Sequence, residues 1–166
     1  MTIIKPPTSL CSNPTNDKSI FLAGSIEMGT AEEWQTQVIE ALKNYKAETF
    51  TVYNPRRDDW DSSWEQTYDN AQFYQQVNWE LNALDKSDIV FMYFSPETKS
   101  PISLLELGLY AKDKAMIVCC PDGFWRRGNI EIICEKFGIP FYSDLDKAIV
   151  GLYSLNKKVP NKLLLS

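Results

Sequence analysis

Two carboxylates stand where a folded chain ordinarily keeps them out. Glu106 is the one charged residue in SPISLLELGLYA, residues 100–111. Glu80 falls on the series Phe73, Val77, Glu80, Leu84, whose spacings of four, three and four trace one helix face. An ionised carboxylate in apolar surroundings is costly, so such a group neutralises, finds a partner or does chemistry. Two acids in different environments are the usual equipment for cleaving a glycosidic bond through an oxocarbenium-like transition state. Each has a plainer reading as well. Ser103-Leu104-Leu105-Glu106 fits the S-x-x-E capping box, and Glu80 at the edge of its stripe can reach solvent or a counter-charge. At helical spacing, however, Glu106 shares a face with Ile102, Leu109 and Tyr110. It would then be an anion favoured by a nearby helix start and made more nucleophilic by desolvation.

Absences narrow the chemistry further. The 166 residues contain no histidine, which removes Ser-His-Asp and Cys-His catalysis and imidazole zinc sites. The four cysteines, Cys11, Cys119, Cys120 and Cys134, form no C-x-x-C pair and read as reduced thiols of a cytoplasmic protein. Net charge is −5 with no long basic run, so nucleic acid is not an expected partner. No signal-like leader and no apolar stretch near the ~18 residues of a membrane span is present.

The elements that must position the acids follow from hydrophobic periodicity. Residues 1–18 are rich in Pro, Ser, Thr and Asn and read as a flexible arm. SIFLAG, TFTVYNP, SDIVFMYF, AMIVCCP and PFYS read as strands, each apolar and closed by turn residues. Helices are expected at 30–45, with Thr30 and Glu33 as a capping box, at 71–86, after Ser100, around 128–137 and around 144–154. One catalytic α/β domain over 19–155 results, followed by a tail at 156–166.

Alternation of strand and helix implies a five-stranded parallel sheet covered on both faces, a three-layer sandwich with strand order 2-1-3-4-5. Ligands of such sheets bind at the carboxyl ends of the strands beside the topological switch. Those ends are GSIEMG (24–29) and SPETKSP (95–101), and the Glu106 helix leaves the second. The long 54–70 loop, with Trp60 and Trp64, reads as functional rather than disordered. Arg56 and Arg57 after Asn54-Pro55 are either an exposed turn or part of an anion site. Asp88, opening a strand, reads as structural. GSIEMG lacks the G-x-G-x-x-G fingerprint and any Walker lysine, which disfavours dinucleotide and NTP chemistry.

IFLAGSIEMGTAEEWQ, YNPRRDDW, VNWELNALDKSDIVFMYF and SPISLLELGLYA together resemble the nucleoside 2-deoxyribosyltransferase-like family over roughly residues 19–135. The E-L-G-x-x-A segment is the most specific piece. The resemblance implies a flavodoxin-like fold, base exchange on 2′-deoxynucleosides, no metal or organic cofactor, and a homo-oligomer with shared sites. By the same resemblance Glu106 is the nucleophile, and Glu80 takes the place of an aspartate that assists proton transfer near the base. Asn129 falls near an asparagine that reaches the neighbouring subunit's site. Six residues before the nucleophile, the best-known transferases carry aspartate. Here Ser100 stands there, as in the related nucleoside 5′-monophosphate N-glycosidases, where the serine helps to bind phosphate. Ser25, Glu27, Asn54, Arg56, Arg57, Trp60, Ser100 and Asn129 are therefore the expected substrate-binding set. Transfer of deoxyribose between free nucleobases is the leading expectation. Hydrolysis of deoxynucleoside monophosphates and a non-catalytic nucleotide-binding module are the rivals.

Overall fold

The computed structural model describes residues 1–10, 17–26, 33–45 and 49–160. Its sheet is parallel throughout, in the order β1-β3-β2-β4-β5-β6. The strands are β1 (Thr2–Ile4), β2 (Lys18–Gly24), β3 (Phe50–Tyr53), β4 (Ile89–Tyr93), β5 (Ala115–Cys119) and β6 (Phe141–Tyr142). The five expected strands keep their expected order, and a sixth is added at the edge. β1 lies in the segment expected to be a flexible arm, paired in register from Thr2 against Thr51. Thr8 and Leu10 are anchored as well: Trp79 Nε1 donates to Thr8 O at 2.8 Å and Lys86 Nζ to Leu10 O at 3.0 Å.

Period-two alternation divides the strands between two cores. Phe21 and Ala23 of β2 face α2 (Ala71–Lys86), α3 (Pro101–Tyr110) and α4 (Arg127–Phe137), while Ile20 and Leu22 face α1 (Trp34–Asn44) and α5 (Leu145–Lys158). Both faces of the central strands are therefore dry, which is why they read as continuous apolar runs. α5 runs to Lys158, past the expected start of the tail at 156.

Glu33 stands at the N-cap of α1 without a side-chain cap bond, and Thr30 lies outside the described residues. The capping box at Ser103, the plainer reading of Glu106, does not form. α3 begins at Pro101 with Ser100 as its N-cap, so Ser103 is already inside the helix and cannot cap it. Glu106 is then in the second turn, where the helix dipole has largely faded. Asp88 is structural, as its position implied: its Oδ2 accepts from Ser19 N at 2.8 Å and Ser19 Oγ at 2.7 Å.

Candidate active site

The strand order reverses between β2 and β4, with α1 on one face and α2 on the other, and in such sheets ligands bind at the carboxyl ends of the strands at that switch. β2 ends there on Gly24, at φ +136°, where a Cβ would lie 2.1 Å from Tyr93 O. Only glycine lets the two strands finish this close together. Ser25 N then donates to Tyr93 O at 2.9 Å, and Trp34 Nε1 donates to Ser25 O at the same distance. The Trp34 ring packs on Phe91 and Tyr93, so Ser25 is held from the core below.

Ser25 and Ser100, far apart in sequence, meet in a buried hydroxyl cluster completed by Thr98. The Oγ of Ser25 lies 2.6 Å from that of Ser100 and 2.8 Å from Oγ1 of Thr98, and Thr98 and Ser100 are 2.7 Å apart. Ser25 Oγ also accepts from Ser95 N, and Thr98 Oγ1 donates to Ser95 O at 2.9 Å. Ser100 reaches this cluster in a left-handed conformation, φ 44°, unusual for a residue with a Cβ. Its hydroxyl serves the cluster and makes no side-chain cap on α3.

The two acids come from helices on the same face of the sheet. On α2 the buried arc is centred on Gln76, Trp79, Ala83 and Leu84, a rotation from the stripe expected, with Phe73 and Val77 at its margin. Glu80 lies at that margin too, half-buried, its Oε1 accepting from Gln76 Nε2 at 2.7 Å. On α3 Glu106 is only 8% exposed, beside buried Ser103 and Leu107. Ile102 and Leu109, expected to share its apolar surroundings, are instead 60% and 55% exposed.

Burial pushes the Glu80 carboxyl up to about 7, against the opposing hydrogen bond from Gln76. It pushes Glu106 up to about 8, and the charge of Glu80 adds to the rise. Such a pair titrates as a unit and holds about one proton between pH 7 and 8, where free carboxylates hold none. Of the two, Glu106 holds that proton more tightly. The competing nucleophiles are quiet: burial raises the thiols of Cys120 and Cys134 to about 12. Tyr110, raised to about 12 by burial and by Asp85, donates its hydroxyl to that carboxylate.

These observations fix what the remaining candidates can reach. A family model described as nucleoside 2-deoxyribosyltransferase like matches residues 17–124, well over half of the sequence. The chain belongs to the nucleoside 2-deoxyribosyltransferase-like family. No curated protein matches the sequence. Within the family segment lie both acids and the hydroxyl cluster; Asn129 falls outside it, exposed in the first turn of α4.

The other expected residues divide between scaffold and cleft. Asn54 is buried and its Oδ1 accepts from Arg56 N, a turn-forming bond. Arg57 is committed to Asp59 and Gln75, with its guanidinium stacked 4.9 Å over Trp64. Trp64 in turn packs edge-on to Trp60. Arg56 Nε and Nη2 and Trp60 Nε1 are buried without hydrogen-bond partners. Neither arginine bonds to the hydroxyl cluster; Arg57 is engaged elsewhere, whereas Arg56 keeps two buried donors without partners. Glu27 lies outside the described residues. Sequence reasoning passed over Thr98 and Gln76. The first lies two residues from Ser100; the second precedes Glu80 by four, one turn along the same face.

Proposed function

We propose that this protein is a nucleoside 2-deoxyribosyltransferase that exchanges nucleobases through a covalent deoxyribosyl–Glu106 ester. The observation that carries the reading is the buried carboxyl of Glu106 on α3 lying within the field of a second, half-buried carboxyl, Glu80 on α2. The Glu106 carboxylate attacks the anomeric carbon of a 2′-deoxynucleoside. The glycosidic electron pair leaves with the base, which takes a proton from Glu80, directly or through water. A second base then attacks the ester carbon, returning a proton to Glu80 and freeing Glu106, so two inversions give net retention. In the free protein the pair's proton rests mainly on Glu106, and its passage to Glu80 leaves Glu106 ionised for attack and Glu80 able to protonate the departing base. Trp60, on the 54–70 loop, stacks on the base and helps to keep water from the ester.

The serine contact keeps hydrolysis of 5′-monophosphates as a second reading, since Ser25 and Ser100 do meet. Proton accounting weighs against it. Three hydroxyls carry three protons, yet three mutual contacts and the bond to Ser95 O already call on four. A phosphate would have to draw donors out of a cluster that has none to spare. Incubation with deoxyinosine and free adenine should yield deoxyadenosine, with little free deoxyribose. Deoxynucleosides should be processed better than their 5′-monophosphates. Preferential cleavage of a monophosphate, unaffected by added base, would transfer the assignment to the hydrolase.

Exposed apolar surface on α3 supports an assembly of copies. Ile102, Leu105 and Leu109 are 60%, 58% and 55% exposed and lie three and four residues apart, a stripe on the helix that carries Glu106. With Trp125 and Asn129 exposed at the start of α4, it favours a homo-oligomer whose sites are completed across subunits. Leu105→Lys is expected to dissociate the assembly and reduce base exchange about tenfold or more. Sedimentation that finds a fully active wild-type monomer at assay concentration would refute this.

A further inference from the structure

Gln76 has no part in the steps above, yet it is the one side chain that bonds to either acid among the described residues. It is 5% exposed, so water is poorly placed to replace it. Its Nε2 donates twice, to Glu80 Oε1 at 2.7 Å and to Pro55 O at 3.0 Å, which uses both protons of the amide nitrogen. Turning the amide over would set its oxygen against a carbonyl and a carboxyl oxygen. That arrangement is repulsive whenever Glu80 is ionised, which favours the observed orientation although it leaves Gln76 Oε1 buried without a partner.

We propose that Gln76 is a positioning residue that reserves Oε1 of Glu80 as an acceptor, so that the proton exchanged with the nucleobase is carried on Oε2. The inference rests on the transferase reading. A carboxyl oxygen already accepting an N–H at 2.7 Å is the poorer place for a proton, which leaves the opposite oxygen to hold it. The bond to Pro55 O adds a second constraint, because it ties the acid on α2 to the loop leaving β3, immediately before Arg56. Glu80 is thereby held relative to the end of the sheet as well as by its own helix. Donation from Gln76 also favours the ionised form of Glu80, opposing burial. It therefore moves the pair's shared proton toward Glu106 in the free protein and makes Glu80 ready to recover a proton from an incoming base.

The charged groups on neighbouring elements leave this bond as the adjustable one. From α3 the facing charge is Glu106, coupled to Glu80. From the β3–α2 loop, Arg57 is engaged with Asp59 and Gln75. Further along α2, Asp85 accepts from Tyr110. Arg56, beside Pro55, makes no ion pair with Glu80.

The test compares Gln76→Met, which keeps the volume and lacks the donor, with Gln76→Lys, which supplies a charged donor. Carboxyl-¹³C NMR reads the Glu80 titration without requiring activity, and the pH profile of deoxyinosine–adenine exchange reads the consequence. The Glu80 midpoint should rise by about one pH unit in the Met variant and fall in the Lys variant. The exchange profile should shift in the same directions, with kcat of the Met variant about tenfold lower and KM little changed. A purely structural glutamine would leave both midpoints where the wild type has them, and that result overturns the proposal. A wild-type protein that exchanges no base would instead remove the transferase reading, and with it the catalytic use of the Oε2 proton. The NMR midpoints would still report whether Gln76 controls Glu80.

Discussion

Glu106→Gln is expected to lower kcat/KM for base exchange by at least about 10³-fold, with the circular dichroism spectrum unchanged. Glutamine keeps the volume and the burial but offers no oxygen that can form and release an acylal-type ester with the sugar. Glu106→Ala should behave alike, since the loss is of a bond-forming group and not of packing. The alternatives within the chain are weak, because Cys120, Cys134 and Tyr110 are all protonated at neutral pH. Steady-state assays with deoxyinosine and adenine decide the point. A Glu106→Gln protein retaining near wild-type turnover would mean that another group, or no covalent step, carries the reaction.

The same substitution should make the protein more stable at alkaline pH. Both desolvated carboxyls bind protons more tightly in the folded chain than in the unfolded one, where they titrate near 4.5. Between about 4.5 and about 8 the folded state therefore holds more protons, and its stability falls as pH rises through that window. Glu106→Gln removes the group with the larger upward displacement. At pH 5, where the wild-type carboxyl is still protonated in the fold, the two proteins should differ little. At pH 8.5 the variant should gain on the order of 2 kcal/mol, about 4–8 °C in Tm. Thermal melts at the two pH values measure this directly. Equal destabilisation at both would show that the buried carboxylate is stabilised by its surroundings, contrary to the desolvation argument. Activity and stability are expected to move in opposite directions at this one residue, the usual consequence of placing an acid in a dry site.

Much of the fold is legible in the sequence because its signals are local. Apolar runs such as SIFLAG and SDIVFMYF, broken by turn residues and alternating with helical spacing, imply parallel strands, and the handedness of crossovers limits their order. β1 escapes such reading. Three residues carry too little pattern, and Thr2–Ile4 becomes a strand because β3 offers an open edge. The capping box at Ser103 shows the opposite error, a local pattern overruled by its context. Pro101 and the left-handed Ser100 start the helix earlier, so the motif never occupies the helix end.

For the site, the sequence by itself determined which residues contradict their surroundings. A carboxylate among apolar residues is visible wherever periodicity defines a face, and this singles out Glu80 and Glu106 without coordinates. Only the tertiary structure decided how these acids act on each other and what holds them. The rotation of α3 turns Ile102 and Leu109 outward while leaving Glu106 inside, an angle set by packing against the sheet. Ser25 and Ser100 meet across 75 residues of chain, and Gln76 reaches Pro55 across 21. Desolvation and proton sharing depend on what lies within a few ångströms in space, and periodicity along a chain does not encode that distance.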